Sequence, residues 1–187
     1  MKKYILQSIR LTLVLTVLLC VIYPVLISFA GKMSAGKGNG ETITLNGKVV
    51  GYANIGQKFD QPQYFWSRPS AVAYNAAGSA GSNKGPSNPD YLKEVQNRID
   101  TLLKYHAYLK KSDIPADMVT ASGSGLDPDI SPEGAKIQLK RVAQNRHLKE
   151  SEVAALVEKQ TEKPLFGLFG PAKVNVLKLN VALDQLK

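Results

Sequence analysis

The sequence predicts an α+β fold, a single mixed domain of helices and strands behind one N-terminal membrane-spanning helix. Three observations predict it. Residues 11–30 form an uninterrupted charge-free block, Leu92, Val95, Ile99, Leu102 and Leu103 recur at helical spacing, and short apolar runs flank Asn46-Gly47 and fill VNVLKLN near the end. These runs follow no strict βαβ rhythm, which favours α+β over a wound parallel sheet. The 187 residues suffice for one ordinary domain with small additions, and can bury a core without disulfides.

The first element reads LTLVLTVLLCVIYPVLISFA from Leu11 to Ala30. At about 1.5 Å per residue it matches a hydrocarbon core about 30 Å thick. Pro24 removes one helix hydrogen bond and predicts a kink toward the outer end. Lys2, Lys3 and Arg10 precede the block while Lys32 and Lys37 follow it, a bias that places the N-terminus inside and the remainder outside. The rival reading is a cleavable signal peptide, because Ser28-Phe29-Ala30 offers small residues at the spacing of a cleavage site. The block is longer than an ordinary signal core, which favours retention, and both readings export the domain. Cys20 is the only cysteine and follows bulky Leu19, which argues against a lipoprotein acceptor. The predicted division is a cytoplasmic segment 1–10, a span 11–30, a tether 31–41 and an extracytoplasmic domain 42–187.

The Gly-rich polar tether contains Gly31, Gly36 and Lys37 at the spacing of a phosphate-binding loop, but Gly38 stands where Ser or Thr is required and no buried strand precedes it. Thr42–Leu45 and Lys48–Ile55 flank Asn46-Gly47 and predict a hairpin on a type I′ turn. Gln63 to Ala71 packs aromatics beside Arg68 and Pro69 and reads as a strand entering a turn, with Arg68 paired to a carboxylate or carbonyl or else binding a ligand. Gly78 to Asn88 is loop. Asn88 and Pro89 supply an N-cap and first position for a helix that ends near His106.

Met118 to Ala121 reads as a short strand running into Ser122-Gly123-Ser124-Gly125. Ser131-Pro132-Glu133 starts a second helix with Ala135, Leu139, Val142 and Ala143 inward, and Ser151 caps a third with Val153, Leu156 and Val157 that ends by Pro164. Val174, Val176, Leu177 and Leu179 make a closing strand.

The chemical inventory is poor. The exported part has no cysteine, its two histidines His106 and His147 sit at predicted helix ends, and no HExxH, GxSxG or dinucleotide GxGxxG pattern occurs. No residue is assigned a catalytic or metal-binding role. Asp117, Asp127 and Asp129 could converge in a carboxylate-dependent stand-alone enzyme, but acids beside Gly and Pro ordinarily serve turns and caps. The Ser122–Gly125 loop leads toward a helix N-terminus, where free amides could hold an anion; the neighbouring acids Asp127, Asp129 and Glu133 fit capping better. A binding module centred on Arg68 and this loop is a further reading. The formal charge of +9 is scattered among acids without a basic aromatic-laced run, so it reads as a solvated surface and not as a nucleic-acid footprint.

Taken in order, the apolar anchor, YFWSRPSA at 64–71, GSNKGPSNP at 81–89, VTASGSGLDPDISPEGA at 119–135, RVA at 141–143 and VNVLKLNVAL at 174–183 resemble the C subunit of the bacterial Kdp potassium-transporting ATPase. The resemblance covers nearly the whole chain and rests on the order and spacing of the motifs. Asp129 departs from it, since many members carry His after LDP. The resemblance implies a complex with a channel-like potassium-translocating subunit, a P-type ATPase subunit and a very small membrane subunit, in which this chain serves assembly and activity and breaks no bond itself. ATP and potassium would be handled by the complex, with no cofactor held tightly here. The family is also described as raising the ATP affinity of the ATPase subunit, with the Ser122–Gly125 region compared to a nucleotide-recognising signature. An outward domain cannot touch cytosolic ATP, so that effect would pass through the membrane helix and partner subunits. Arg68, Pro69 and Asp127 are then expected to serve structure or partner contact.

Overall fold

The computed structural model describes residues 2–186. It falls into two compact units, residues 1–42 and 43–187, each treated on its own.

The first unit is helical from α1 (Lys2–Val17) through one π turn (Leu18–Ile22) into α2 (Tyr23–Lys32). Within this unit the apolar run Tyr4–Lys32 buries none of its residues, and it is long and apolar enough to cross a membrane. That π turn lies just before Pro24, the residue at which a kink is predicted. A prolyl ring crowds the carbonyl four residues back and donates no hydrogen bond, and widening the preceding turn to i→i+5 bonding accommodates it. Beyond Lys32 the Gly-rich stretch is built of consecutive turns, with Ser34 N bonded to Gly31 O at 3.1 Å, Lys37 N to Ser34 O at 2.8 Å and Asn39 N to Gly36 O at 2.8 Å.

In the second unit β1 (Thr42–Leu45) and β2 (Lys48–Tyr52) form the hairpin that Asn46-Gly47 predicts, with φ of 51° and 77° at the two turn residues. The helix α3 (Pro89–Tyr105) starts where it should, the Asn88 side chain accepting Tyr91 N at 3.1 Å, and buries Ile99 and Leu102. Leu92 is exposed and not part of the core face.

A three-stranded antiparallel sheet, ordered β3-β5-β4, joins β3 (Asp129–Ile130), β5 (Lys173–Asn175) and β4 (Thr161–Glu162). Around its central strand pack α4 (Pro132–Lys136), α6 (Glu150–Gln160) and α7 (Val176–Asp184), while α5 (Leu139–Arg146) packs on α6. Val142, Val153, Val174, Leu179 and Leu183 meet at full burial.

Four local expectations are corrected. Met118–Ala121 is not a strand: Ala116–Met118 is a 3-10 turn, and Thr120 Oγ1 returns to Ala116 O at 2.7 Å. The second helix breaks at Ile137–Gln138, where Gln138 turns inward. The third starts after Lys149, where Glu152 accepts the Lys149 N–H at 3.3 Å, and Ser151 lies inside it. The closing strand stops at Asn175, whose side chain accepts Lys178 N at 3.0 Å and turns the chain into α7. Val176, Leu179 and Leu183 therefore lie on one buried helix face.

The largest departure is Gln63–Ala71, which belongs to no sheet. Its backbone is clasped by side chains. Asn180 accepts Phe65 N at 2.9 Å and donates to Phe65 O at 3.0 Å, while Gln138 accepts Trp66 N at 2.7 Å and donates to Trp66 O at 3.3 Å. Two amide side chains thus imitate a neighbouring strand at consecutive residues, and Phe65 becomes fully buried. Arg141 extends the clasp, donating to Pro62 O and to Tyr64 O at 3.0 Å, and Arg146 Nε reaches Gln63 O at 2.9 Å.

Candidate functional site

The clasp ends at Arg68 and Pro69, and the continuation of the chain folds back on the Gly/Ser loop. Arg68 Nη1 pairs with Asp127 Oδ2 at 2.8 Å, and Pro69 O accepts Ser122 N at 3.3 Å. Ser70 Oγ donates to Gly125 O at 2.6 Å and accepts the amides of Val72 and Tyr74, while Ser79 Oγ donates to Ser124 O at 3.0 Å. The seven residues singled out in the sequence, Arg68, Pro69, Ser122, Gly123, Ser124, Gly125 and Asp127, therefore lie in one place. Gly125 has φ of 67°, and a Cβ there would approach Val72 Cγ2 to 2.6 Å, so this contact needs glycine.

Two of the loop's four amides, those of Ser122 and Gly125, are engaged. Gly125 N bonds Ser122 O at 3.3 Å and Ser124 Oγ accepts Leu126 N at 3.0 Å. It does not abut a helix terminus: β3 intervenes, and the start of α4 is capped by Ser131 Oγ, which accepts Gly134 N at 2.9 Å, with Ser131 N held by Asp117 at 2.7 Å.

Arg68 stands between two open hollows and lines both. One, of about 700 Å³, is bounded by Trp66, Tyr74, Arg98 and Tyr105; the other, of about 500 Å³, by Asp117, Asp127, Asp129 and Lys173. Arg68 Nε is buried and makes no hydrogen bond. The three aspartates share the second hollow, but each is engaged: Asp117 holds Ser131, Asp127 pairs with Arg68 and accepts Asp129 N at 3.0 Å, and Asp129 binds Lys173 Nζ at 2.7 Å. The Asp129 carboxylate raises the Lys173 ammonium above its ordinary pKa. Where an imidazole is expected from the resemblance, this chain has an ion pair between β3 and β5. Each of these carboxylates holds a part of the scaffold in place.

Sequence reasoning missed the polar centre behind the site. His106 and Arg141 are buried, and Arg141 Nε donates to His106 Nε2 at 2.9 Å while its guanidinium stacks on Trp66 at 4.3 Å. Burial lowers the His106 pKa to about 4, with the Arg141 charge acting in the same direction. The ring is thus neutral at pH 7, with Nδ1–H donating to Leu102 O at 2.8 Å and Nε2 accepting. Burial also lowers Arg141, to about 10, which leaves it charged. The available signal was Gln138 and Arg141 interrupting the buried stripe of Ala135 and Val142. His106 does close a helix and His147 does end α5, with φ of 56°.

The family model KdpC, described as K+-transporting ATPase, c chain, matches residues 5–185. The chain belongs to the KdpC family. A protein of Flavobacterium johnsoniae named potassium-transporting ATPase KdpC subunit is 62% identical over 99% of this chain and 100% of its own length. KdpC subunits of Bacteroides fragilis, 57% identical over 99% of this chain and 98% of theirs, and of Paraburkholderia xenovorans, 47% identical over 100% and 99%, extend the likeness. The KdpC match takes in both units, so the apolar helix and the domain belong to one family pattern.

Proposed function

We propose that this chain is the accessory, non-catalytic C subunit of an ATP-driven potassium uptake pump. The observation that carries the reading is the KdpC family match over residues 5–185. Its partners are a channel-like potassium-translocating subunit, a P-type ATPase subunit and a very small membrane subunit. The helix 4–32 sits in the bacterial cytoplasmic membrane with its N-terminus inside, supported by the positive residues at its start and by its length and apolar composition. The domain then works outside the membrane, and potassium and ATP are handled by the complex. Any gain in ATP affinity is transmitted through the span and the partners and does not require nucleotide at Ser122–Gly125. Arg68, Pro69 and Asp127 brace the surface between the two hollows for contact with a partner subunit. The engaged state of Asp117, Asp127 and Asp129 removes the support for a stand-alone carboxylate enzyme.

Solubilised from native membranes through a tag on this chain, the protein is expected to bring multispan subunits and potassium-stimulated ATP hydrolysis with it. A chain that always purifies alone rejects the assignment. Cysteines placed at Ser34 and Ser112 in a Cys20→Ser background are expected to react with an impermeant reagent in intact cells; protection until lysis reverses the topology.

A further inference from the structure

The connection between β4 and β5 carries a feature that neither the site nor the core uses. Residues 164–171 read Pro-Leu-Phe-Gly-Leu-Phe-Gly-Pro, and Leu165, Phe166, Leu168 and Phe169 are 63%, 84%, 82% and 65% exposed. Four large apolar side chains on one tip form a contiguous patch, which calls for an apolar cover in a way that scattered exposed leucines do not.

The backbone of the tip meets part of its own hydrogen-bonding capacity. Leu165 and Phe169 exchange both hydrogen bonds at 3.0 Å, Gly167 N bonds Pro164 O at 2.9 Å, and Leu168 N bonds Leu165 O at 3.1 Å. The two bounding prolines have no N–H to satisfy. Four of the tip's six N–H groups are thus met internally, and the carbonyls left at its apex suit the hydrated headgroup layer better than the hydrocarbon core. It is also convex: Phe166 has φ of 54° and Gly167 of 74°, and a Cβ on Gly167 or Gly170 would meet nothing within 4 Å. Such a shape suits a soft surface.

We infer that the 164–171 tip enters the interfacial layer of the lipid bilayer. The chain carries its own apolar span, 4–32, so lipid is always present at high local concentration. Exposed Lys163 precedes the tip, and residues 43–187 hold 19 Lys and Arg against 14 Asp and Glu, a balance that attracts anionic headgroups. The stem is anchored to the core by the pairing of Thr161 with Val174 and Glu162 with Lys173, so the tip is presented by a fixed strand pair. This inference rests on the span lying in a bilayer and not on the pump assignment.

The test uses the full chain alone, with Cys20→Ser and an environment-sensitive dye on Leu168→Cys, in vesicles of phosphatidylethanolamine and phosphatidylglycerol. The dye emission is expected to shift to the blue and to be quenched by nitroxide-labelled lipid, while the same dye on Ser112→Cys stays water-like. Phe166→Ser combined with Phe169→Ser is expected to abolish both the shift and the quenching; these side chains are exposed, so the domain keeps its fold. Water-like emission at position 168 in the vesicles overturns the inference. So does a blue shift that needs the partner subunits and ignores labelled lipid, which would make the tip a plug for a protein socket.

Discussion

Two aromatic-rich runs of this protein, Gln63–Pro69 and Leu165–Phe169, lie outside its sheets and have opposite fates. In the first, the peptide groups of Phe65 and Trp66 are held by Asn180 and Gln138 from distant helices, and Phe65 is fully buried. In the second, the peptide groups hold one another, and the side chains face outward. Apolar content alone does not decide burial. What decides it is where the backbone finds its hydrogen bonds, since a chain that borrows them from the core is drawn into the core with its side chains.

The comparison breaks most severely at Arg141. Arg141→Leu removes donors to Pro62 O, Tyr64 O, Gln138 and His106 at once, and is expected to cost about 3–5 kcal/mol. Trp66, the only tryptophan, reports the loss in urea unfolding of the full chain in detergent. A cost under about 1 kcal/mol would show that the clasp is dispensable.

Acid weakens the same centre. His106 has a folded pKa of about 4, below its unfolded value of about 6.5, so the unfolded chain binds the extra proton. Its contribution is complete above pH 6.5 and falls as pH drops from there toward 4, by on the order of 3 kcal/mol in all. Unfolding free energies measured across this window should steepen relative to His106→Gln, and parallel curves would remove the role.

Asn180→Ala leaves both peptide groups of Phe65 unmatched and is expected to cost about 1–3 kcal/mol. Arg68→Ala breaks a partly exposed pair and should change stability by no more than about 1 kcal/mol. If that surface meets a partner, recovery of the complex falls much further than stability. Smallest of all, Phe166→Ser with Phe169→Ser should alter stability by only about 0.5 kcal/mol, while abolishing contact with lipid. A large loss of stability there would mean that the tip belongs to the core after all.

Much of the architecture could be read from local chemistry. The apolar N-terminal helix needs only a charge-free run of sufficient length, the hairpin needs Asn46-Gly47, and α3 and α4 need Asn88-Pro89 and Ser131-Pro132. The family pattern was legible too, because its motifs are local and ordered. The strand expected at 174–179 failed because Asn175 can end a strand and cap a helix alike. The strand expected across 63–71 failed because nothing in those residues tells that their partners are side chains.

The sequence by itself determined the apolar N-terminal helix, the caps at Asn88 and Ser131 and the hairpin turn, since each follows from spacing or from the conformations one or two residues allow. Only the tertiary structure decided that Arg68 meets Asp127, that His106 is buried and neutral beside Arg141, and that one aromatic run goes inward while the other stands out. Those outcomes depend on groups up to 115 residues apart sharing hydrogen bonds in a space with little water, and no local pattern encodes such a partnership.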